Sequence, residues 1–486
     1  MVAIGAPLPP VPHQEPPRPV RGAADPPAAG RAGVAVTTVL PGFSSSTLLV
    51  PQTPVVLPEA PARKMVVRGG ARLKGEIATN GAKNAATKMM ASALLTREPV
   101  VLENVPNIEA IRTQAELLRA LGATVEFDAA AHRLTVVADR LASCTIVPEL
   151  AEKERSAFVL VGPLLARHGT VETPKPGGCK IGERPVDVAM RGFRLMGAEV
   201  VHENGEYLLQ TTGLRGARIY LDYPSHTGTE NLMMAACLAN GTTVILNASC
   251  EPEVVALAEH LTRMGAMIRG AGTSKIEVVG VPVLRGARTW VMPDRIEAGS
   301  FAIAAAATGG DLVIRRVVSE HLEPLTYKLK ECGAEVYLSD DAMLVRRTKP
   351  LSAVEVQALP YPGFPTDLQT PMCVLLTQAQ GTSIIHERVF PDRFRYVEEL
   401  RALGARIDTD REESSVVNAT KVYVHGPAAL RGARVRALDL RSGMALIIAG
   451  LVAEGSTEIA DFHHADRGYE DLSARLRAIG ADLSEI

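Results

Sequence analysis

One eight-residue motif recurs six times along the chain, as LRALGATV (118–125), FRLMGAEV (193–200), LTRMGAMI (261–268), LKECGAEV (329–336), LRALGARI (400–407) and LRAIGADL (476–483). Its glycine falls at Gly122, Gly197, Gly265, Gly333, Gly404 and Gly480, so successive copies lie 75, 68, 68, 71 and 76 residues apart. Each copy reads as an amphipathic helix stopped by a glycine and followed by a strand. A second pattern keeps the same rhythm: an alanine-rich, almost wholly apolar helix, then a glycine and a short strand. It stands as FVLVGPLLARHGTVE, NLMMAACLANGTTVIL, FAIAAAATGGDLVI, VLLTQAQGTSII and MALIIAGLVAEGSTEI, and more loosely as AATKMMASALLTREPVVLENV.

A helix that is apolar on every side must be buried, and a unit of about seventy residues cannot bury one alone. Roughly three units must cooperate to enclose a core, so six units predict two domains of three. The 486 residues, 47% of them hydrophobic, suffice for two such cores. The mixed order of strands and helices predicts an α/β fold that is neither a solenoid, a Rossmann fold nor a TIM barrel. No G-x-G-x-x-G follows a strand and no G-x-x-x-x-G-K-[ST] occurs, so a glycine-rich phosphate loop is not expected.

A net charge of -2 offers no global attraction to nucleic acid or to an anionic membrane. The longest apolar runs, such as MALIIAGLVA (444–453), fall short of the ~20 residues of a spanning helix. Six scattered cysteines without a C-x-x-C pair suggest reduced thiols in a cytoplasm and no zinc site. Residues 1–64 hold 14 of the 33 prolines and no helical or strand period, and they are expected to form a disordered extension. The patterned chain opens at Met65.

Polar turns stand out against this scaffold: GAKN (81–84), CKIGERPVD (179–187), CEPEV (250–254), PDRIEAGS (293–300), PDRF (391–394), DLRSG (439–443) and DRGYE (466–470). At equivalent places in similar units they would converge on one cleft. An isolated Arg beside an Asp reads first as a surface ion pair, and arginines recurring at equivalent turns put an anion site on an equal footing with that reading. Cys179, with Lys175, Lys180 and Arg184 nearby, is either a stabilised thiolate or a passive loop cysteine.

Taken together, NGAKNAA (80–86), ERSAFVLVGPLLARHG (154–169), PGGCKIGERPVD (176–187), CEPEV, MPDRIEAGSF (292–301), PGFPTDLQ (362–369), DLRSG and DRGYE resemble the UDP-N-acetylglucosamine 1-carboxyvinyltransferase family. These are the enolpyruvyl transferases that begin peptidoglycan synthesis, and the resemblance runs in order from residue 65 to the C-terminus. It implies two inside-out α/β barrel domains, each of three pseudo-symmetric repeats, joined by a double crossover. Residues 83–293 would form one domain, carrying the Cys179 loop, and residues 65–82 plus 294–486 the other.

The implied reaction moves the enolpyruvyl group of phosphoenolpyruvate to the 3-hydroxyl of UDP-N-acetylglucosamine and releases phosphate, with no cofactor and no metal. The two substrates bring roughly five negative charges, which a cluster of Lys and Arg neutralises. The resemblance assigns Lys83, Arg155, Arg184, Arg393, Arg441 and Arg467 to phosphoenolpyruvate and the basic cleft. It assigns Asn84, Arg155, Arg184, Pro185, Asp187, Val188, Ser225, Thr366, Asp367 and Val389 to the UDP-sugar. Cys179 would be the acid, able to bond covalently to phosphoenolpyruvate and to react with fosfomycin. Asp367 would be the base at the sugar hydroxyl, and Asp439 a second carboxylate in proton transfer or closure. Pro185 also suits the first turn of the helix running through DVAMRGFRLMG.

The sequence departs from the family's commonest pattern at three places. Ala189 stands where a histidine is frequent, Ser225-His226-Thr227 replaces a frequent Ser-Val-Gly, and DLRSG carries a serine in place of alanine. Acceptors other than UDP-N-acetylglucosamine therefore stay open, either another uridine nucleotide or a binding paralogue with weak catalysis. The shikimate-pathway enzyme shares the implied fold, but Cys179 and the uridine wall favour the sugar-nucleotide family.

Overall fold

A computed structural model describes residues 63–175, 177 and 186–486. The expected extension, up to residue 62, and Cys179, Arg184 and Pro185 lie outside the described residues. Arg63 and Lys64 belong to the folded chain: Lys64 exchanges two backbone hydrogen bonds with Ile486, at 3.0 and 2.9 Å.

Six helices are buried on nearly every side: α1 (Lys83–Ser92), α4 (Val161–His168), α6 (His226–Ala236), α8 (Arg295–Ala307), α10 (Thr366–Leu376) and α12 (Leu440–Val452). The sequence of α8 shows why such a helix forms. Its alanines carry the highest helix propensity. Asp294 caps its start, accepting from the amides of Ile296 (2.8 Å) and Glu297 (3.1 Å). All thirteen of its residues are buried.

Six further helices present one face to solvent: α2 (Glu109–Ala120), α5 (Asp187–Leu195), α7 (Pro252–Arg263), α9 (Glu323–Glu331), α11 (Val397–Ala402) and α13 (Leu472–Ala478). Each ends at a motif glycine whose φ lies between 92° and 104°, a backbone conformation that a side chain resists. A short helix, α3 (Pro148–Lys153), precedes the 3-10 turn Arg155–Leu160. Helix α5 starts at Asp187, and Asp187 and Val188 open its first turn; the place expected for Pro185 lies outside the described residues.

The described strands form six sheets, five of which combine parallel with antiparallel pairs. In the sheet of 288–290, 100–103, 133–137 and 124–128 the first pair is parallel and the next two are antiparallel. The sheet of 170–174, 206–210 and 199–203 keeps its parallel partner only as a bridge between Thr145 and Glu172.

Apolar side chains gather in two cores. One spans Ala82 to Val291; the other joins Met65, Val67, Leu73 and Ile77 to residues from Ile296 to Leu483. The first strand, Met65–Arg68, accordingly lies between 456–460 and 482–485. The chain passes between the cores twice, side by side: Ala82 N donates to Met292 O (2.7 Å) and Asp294 N to Asn80 O (2.9 Å). Gly81 is required at this passage, because a Cβ there would sit 1.8 Å from the carbonyl oxygen of Asn104.

The five described cysteines are free. No helix of the described residues is long and apolar enough to cross a membrane.

Candidate active site

The N-terminal ends of buried helices open on one cleft of about 530 Å³. Lys83 and Asn84 enter it from α1, Ser225 and His226 from α6, Arg295 from α8, Thr366 and Asp367 from α10, and Arg441 from α12. Arg155 and Ser156 enter from the turn before α4, and Arg393, Val389 and Val188 complete this part of the wall. Helix N-termini present unsatisfied amides and a positive dipole end, so cations at these positions add to a field already suited to anions.

Asp367 is the centre of the first charged cluster. Its Oδ2 accepts from Arg441 Nε (3.0 Å) and Nη2 (2.8 Å), and its Oδ1 from Arg393 Nη2 (3.2 Å). Burial by itself raises the pKa of this carboxyl, but the guanidiniums of Arg441 and Arg393 outweigh burial and hold it well below the usual carboxylate range. Arg441 also donates to the hydroxyl of Tyr469 at 3.3 Å and lies over its ring.

Asp439 stands outside the cleft lining and caps α12. Its Oδ1 accepts from the amides of Arg441 and Ser442, both at 2.7 Å, and its Oδ2 lies 4.0 Å from Arg393 Nη1. Ser442 Oγ completes the cap by accepting from the amides of Leu438 (2.9 Å) and Asp439 (2.8 Å). The serine of DLRSG thus anchors the backbone that presents Arg441, a bond alanine cannot make.

Glu154 is the centre of the second cluster, and the sequence motifs did not single it out. Lys83 Nζ lies 3.6 Å from its Oε1 and Arg467 Nη2 donates to its Oε2 at 3.3 Å, so it joins a cation from each core's share of the chain. Burial raises its pKa and the two cations outweigh that, holding it below the ordinary carboxylate value. Its position before Arg155 in ERSAF is the available signal.

A third cluster underlies α6. Glu230, fully buried, lies 2.9 Å from His226 Nε2 and 3.7 Å from Lys88 Nζ. Beside it Arg295 grips Glu253 through two bonds, at 3.0 and 3.2 Å. A glutamate leading into the apolar run LMMAA, in TENLMMAA, is the signal for it.

Glu387 is a further residue that the motifs do not reveal. It accepts from Thr366 Oγ1 (2.7 Å) and from the amides of Val389 (2.7 Å) and Phe390 (3.2 Å), fixing two expected UDP-sugar contacts through one carboxylate. Asp187 is exposed and lies outside the cleft lining, whereas Val188 is half-buried within it. Among the described residues no group of His, Cys, Asp or Glu is placed to hold a metal ion.

Two comparisons define the class. A family model described as EPSP synthase (3-phosphoshikimate 1-carboxyvinyltransferase) matches residues 67–476. The crystal structure of the enolpyruvyl transferase NikO from Streptomyces tendae matches with a TM-score of 0.78 at 26% identity, over 87% of this chain and 99% of that one. EPSP synthase from Acinetobacter baumannii, at 18% identity, shares the fold with a TM-score of 0.68 over 87% of this chain and 100% of its own. The fold is that of the enolpyruvyl transferases, α/β with mixed sheets.

Relatives by sequence narrow the class. UDP-N-acetylglucosamine 1-carboxyvinyltransferase of Halothermothrix orenii is 45% identical over 87% of this chain and 99% of its own length. UDP-N-acetylglucosamine 1-carboxyvinyltransferase 1 of Carboxydothermus hydrogenoformans is 46% identical over 87% of this chain and 98% of its own. The chain belongs to the UDP-N-acetylglucosamine 1-carboxyvinyltransferase family.

Proposed function

We propose that the chain transfers the enolpyruvyl group of phosphoenolpyruvate to the 3-hydroxyl of UDP-N-acetylglucosamine, releasing phosphate, in the first committed step of peptidoglycan synthesis. The observation that carries this reading is the pairing of cleft cations with two carboxylates, Arg393 and Arg441 on the half-buried Asp367 and Lys83 and Arg467 on the buried Glu154. Each carboxylate occupies cations that a phosphate or carboxylate of a substrate can claim. Identities of 45% and 46% to enzymes named for this transfer support it.

The chemistry proceeds by addition and elimination. A proton added to the enol carbon makes the neighbouring carbon electrophilic, the sugar oxygen attacks that carbon, and its own proton passes to a base. Loss of a proton from the methyl carbon and cleavage of the C–O bond to phosphate then restore the double bond. Cys179 is assigned as the acid by resemblance to the family, together with Arg184 and Pro185 as binding residues.

Asp367 is assigned as the base. While its two arginines hold it, it is a weak one, because a carboxylate held at low pKa gives up little energy on accepting a proton. As the substrates' anions draw Arg393 and Arg441 away, its basicity rises where the sugar hydroxyl arrives. Lys83, Arg155 and Arg467 hold phosphoenolpyruvate; Asn84, Ser225, Thr366, Val188, Val389 and the exposed Asp187 serve the UDP-sugar; Asp439 acts on Arg441 and on closure.

Two domains of three pseudo-symmetric units, 83–293 and 65–82 plus 294–486, folded as inside-out barrels, are part of the same proposal. The two apolar cores and the six motif glycines support it. A reducing cytoplasm is the compartment proposed, in keeping with five free thiols.

Phosphate release from phosphoenolpyruvate, assayed with a panel of acceptors, tests the function. Release that requires UDP-N-acetylglucosamine is the expected result. Turnover with UMP and not with the sugar nucleotide would assign another acceptor, and binding without any release would make the chain a binding paralogue.

A further inference from the structure

Glu387 ends the strand Ala379–Glu387 and lies behind the wall of the cleft, 5% exposed and outside the lining. Three donors converge on its carboxylate. Oε1 accepts from the amides of Val389 (2.7 Å) and Phe390 (3.2 Å), and Oε2 accepts from the hydroxyl of Thr366 (2.7 Å). The ionised form suits such a site, because the proton of the acid form would have to point at one of those donors. The backbone is fixed as well: the amide of Glu387 donates to Thr420 O at 2.9 Å.

Thr366 carries this arrangement into the cleft. It opens α10 one place before Asp367 and lines the cleft wall. A threonine hydroxyl has a single proton and two lone pairs. With that proton committed to Glu387, Thr366 Oγ1 can only accept from a group that enters the cleft. Asp367 beside it, held ionised by Arg393 and Arg441, can likewise only accept. The two side chains that open α10 therefore present neighbouring acceptors.

We propose that Glu387 is a positioning residue of the acceptor side: by taking the Thr366 proton it fixes that hydroxyl as a hydrogen-bond acceptor, and so selects a substrate that carries an N–H or O–H donor next to the hydroxyl received by Asp367. The proposal rests on the function proposed above and deepens it. In a 2-acetamido sugar that reacts at its 3-hydroxyl, the amide N–H on the adjacent carbon is such a donor. A substituent that can only accept would set lone pair against lone pair. A polar group left unmatched in a closed site costs more than the contact it replaces, which is how a fixed polar wall rejects a near-isostere. Glu387 acts only through Thr366.

Glu387→Gln isolates the effect. The amides of Val389 and Phe390 keep the glutamine oxygen toward themselves, so its NH2 faces Thr366, donates to Oγ1 and turns the threonine proton into the cleft. Titration calorimetry on the full chain should show UDP-N-acetylglucosamine weakened roughly tenfold by this substitution, and UDP, which lacks the sugar, unchanged. Thr366→Val should cost about as much, Thr366→Ser should keep the natural affinity, and Glu387→Gln should add nothing once Thr366 is valine. Natural affinity in Glu387→Gln would overturn the proposal. So would losses that add, or that fall equally on UDP and the sugar nucleotide, since both mark a residue that only supports the fold. If Glu387→Gln does not fold, UDP-2-deoxy-2-fluoroglucose decides with the threonine variants. The natural preference for UDP-N-acetylglucosamine over this analogue should shrink roughly tenfold in Thr366→Val and persist in Thr366→Ser; an undiminished preference in Thr366→Val refutes the proposal. Phosphate release by the natural protein with UDP-N-acetylglucosamine is measured in parallel. Its absence would overturn the reaction and leave the binding result standing, so the two failures are distinct.

Discussion

Arg441 donates through both Nε (3.0 Å) and Nη2 (2.8 Å) to one oxygen of Asp367, 74 residues earlier in the chain. The other carboxylate oxygen is left to Arg393 at 3.2 Å. A carboxylate so placed is ionised and occupied, and it holds two arginines in the orientation that a bidentate anion would require.

Replacing it tests the assignment of the base. Asp367→Asn should lower kcat by roughly 10²–10⁴-fold, the usual worth of a positioned base, while phosphoenolpyruvate still binds. Because Arg441 and Arg393 outweigh burial and keep the carboxyl well below its ordinary range, kcat/KM should show no inflection from this group between roughly pH 5 and 8. An inflection in that window that disappears in the variant would contradict the pairing. Phosphate release under single-turnover conditions gives both readings.

Glu154→Gln should destabilise the ligand-free protein by about 3–5 kcal/mol, since it leaves Lys83 and Arg467 without their buried counter-charge. Phosphoenolpyruvate should then raise the melting temperature more in the variant than in the natural protein, because the ligand's anions replace the lost carboxylate. The folded-state pKa is depressed, so the natural contribution is present above about pH 4.5 and is lost as pH falls below it. Equal melting temperatures with and without the substitution would refute the role.

His260 provides a separate pH dependence, remote from the cleft. It is wholly buried, with ring nitrogens 2.7 Å from Thr289 Oγ1 and 3.0 Å from Ser92 Oγ, and burial lowers its pKa from 6.5 to about 4. A depressed value means that unfolding takes up a proton. Stability should therefore be full above pH 6.5 and decline by roughly 1.4 kcal/mol per pH unit toward pH 4. Urea unfolding of the natural protein and of His260→Gln over this range should give a flatter profile for the variant; parallel profiles would disprove the linkage.

Fosfomycin should add covalently to Cys179 in the presence of UDP-N-acetylglucosamine and abolish turnover. Intact-mass analysis with peptide mapping reads the modification directly. An unmodified Cys179 after incubation, with activity retained, would remove this residue from the role of acid. Modification of Cys144 or Cys250 is not expected, because burial raises both thiols above their ordinary pKa and lowers their thiolate fraction.

Much of the site is legible in the amino-acid sequence. The turns GAKN and DLRSG deliver Lys83 and Arg441 to one cleft from the converging starts of two buried helices, and PDRF delivers Arg393 to it from the turn before α11. The family resemblance gives Asp439 a part in proton transfer or closure, and the structure adds the bonds of a helix cap; capping is visible in sequence only once the helix start is known. Glu154, Glu230 and Glu387 escape notice there because a buried carboxylate looks like any other glutamate until its partners are found.

What the sequence determined by itself is what depends on near neighbours. Alanine-rich helices must be buried, glycines with φ near 100° stop six helices at a period of about seventy residues, and cations gather in the turns between. What only the tertiary structure decided is which charge meets which. Arg441 finds Asp367, and Arg467 finds Glu154 across 313 residues, because the chain passes twice between its two cores and brings both sets of helix ends to one cleft. Coulomb attraction and desolvation depend on distance in space, and separation along the chain carries no measure of that distance.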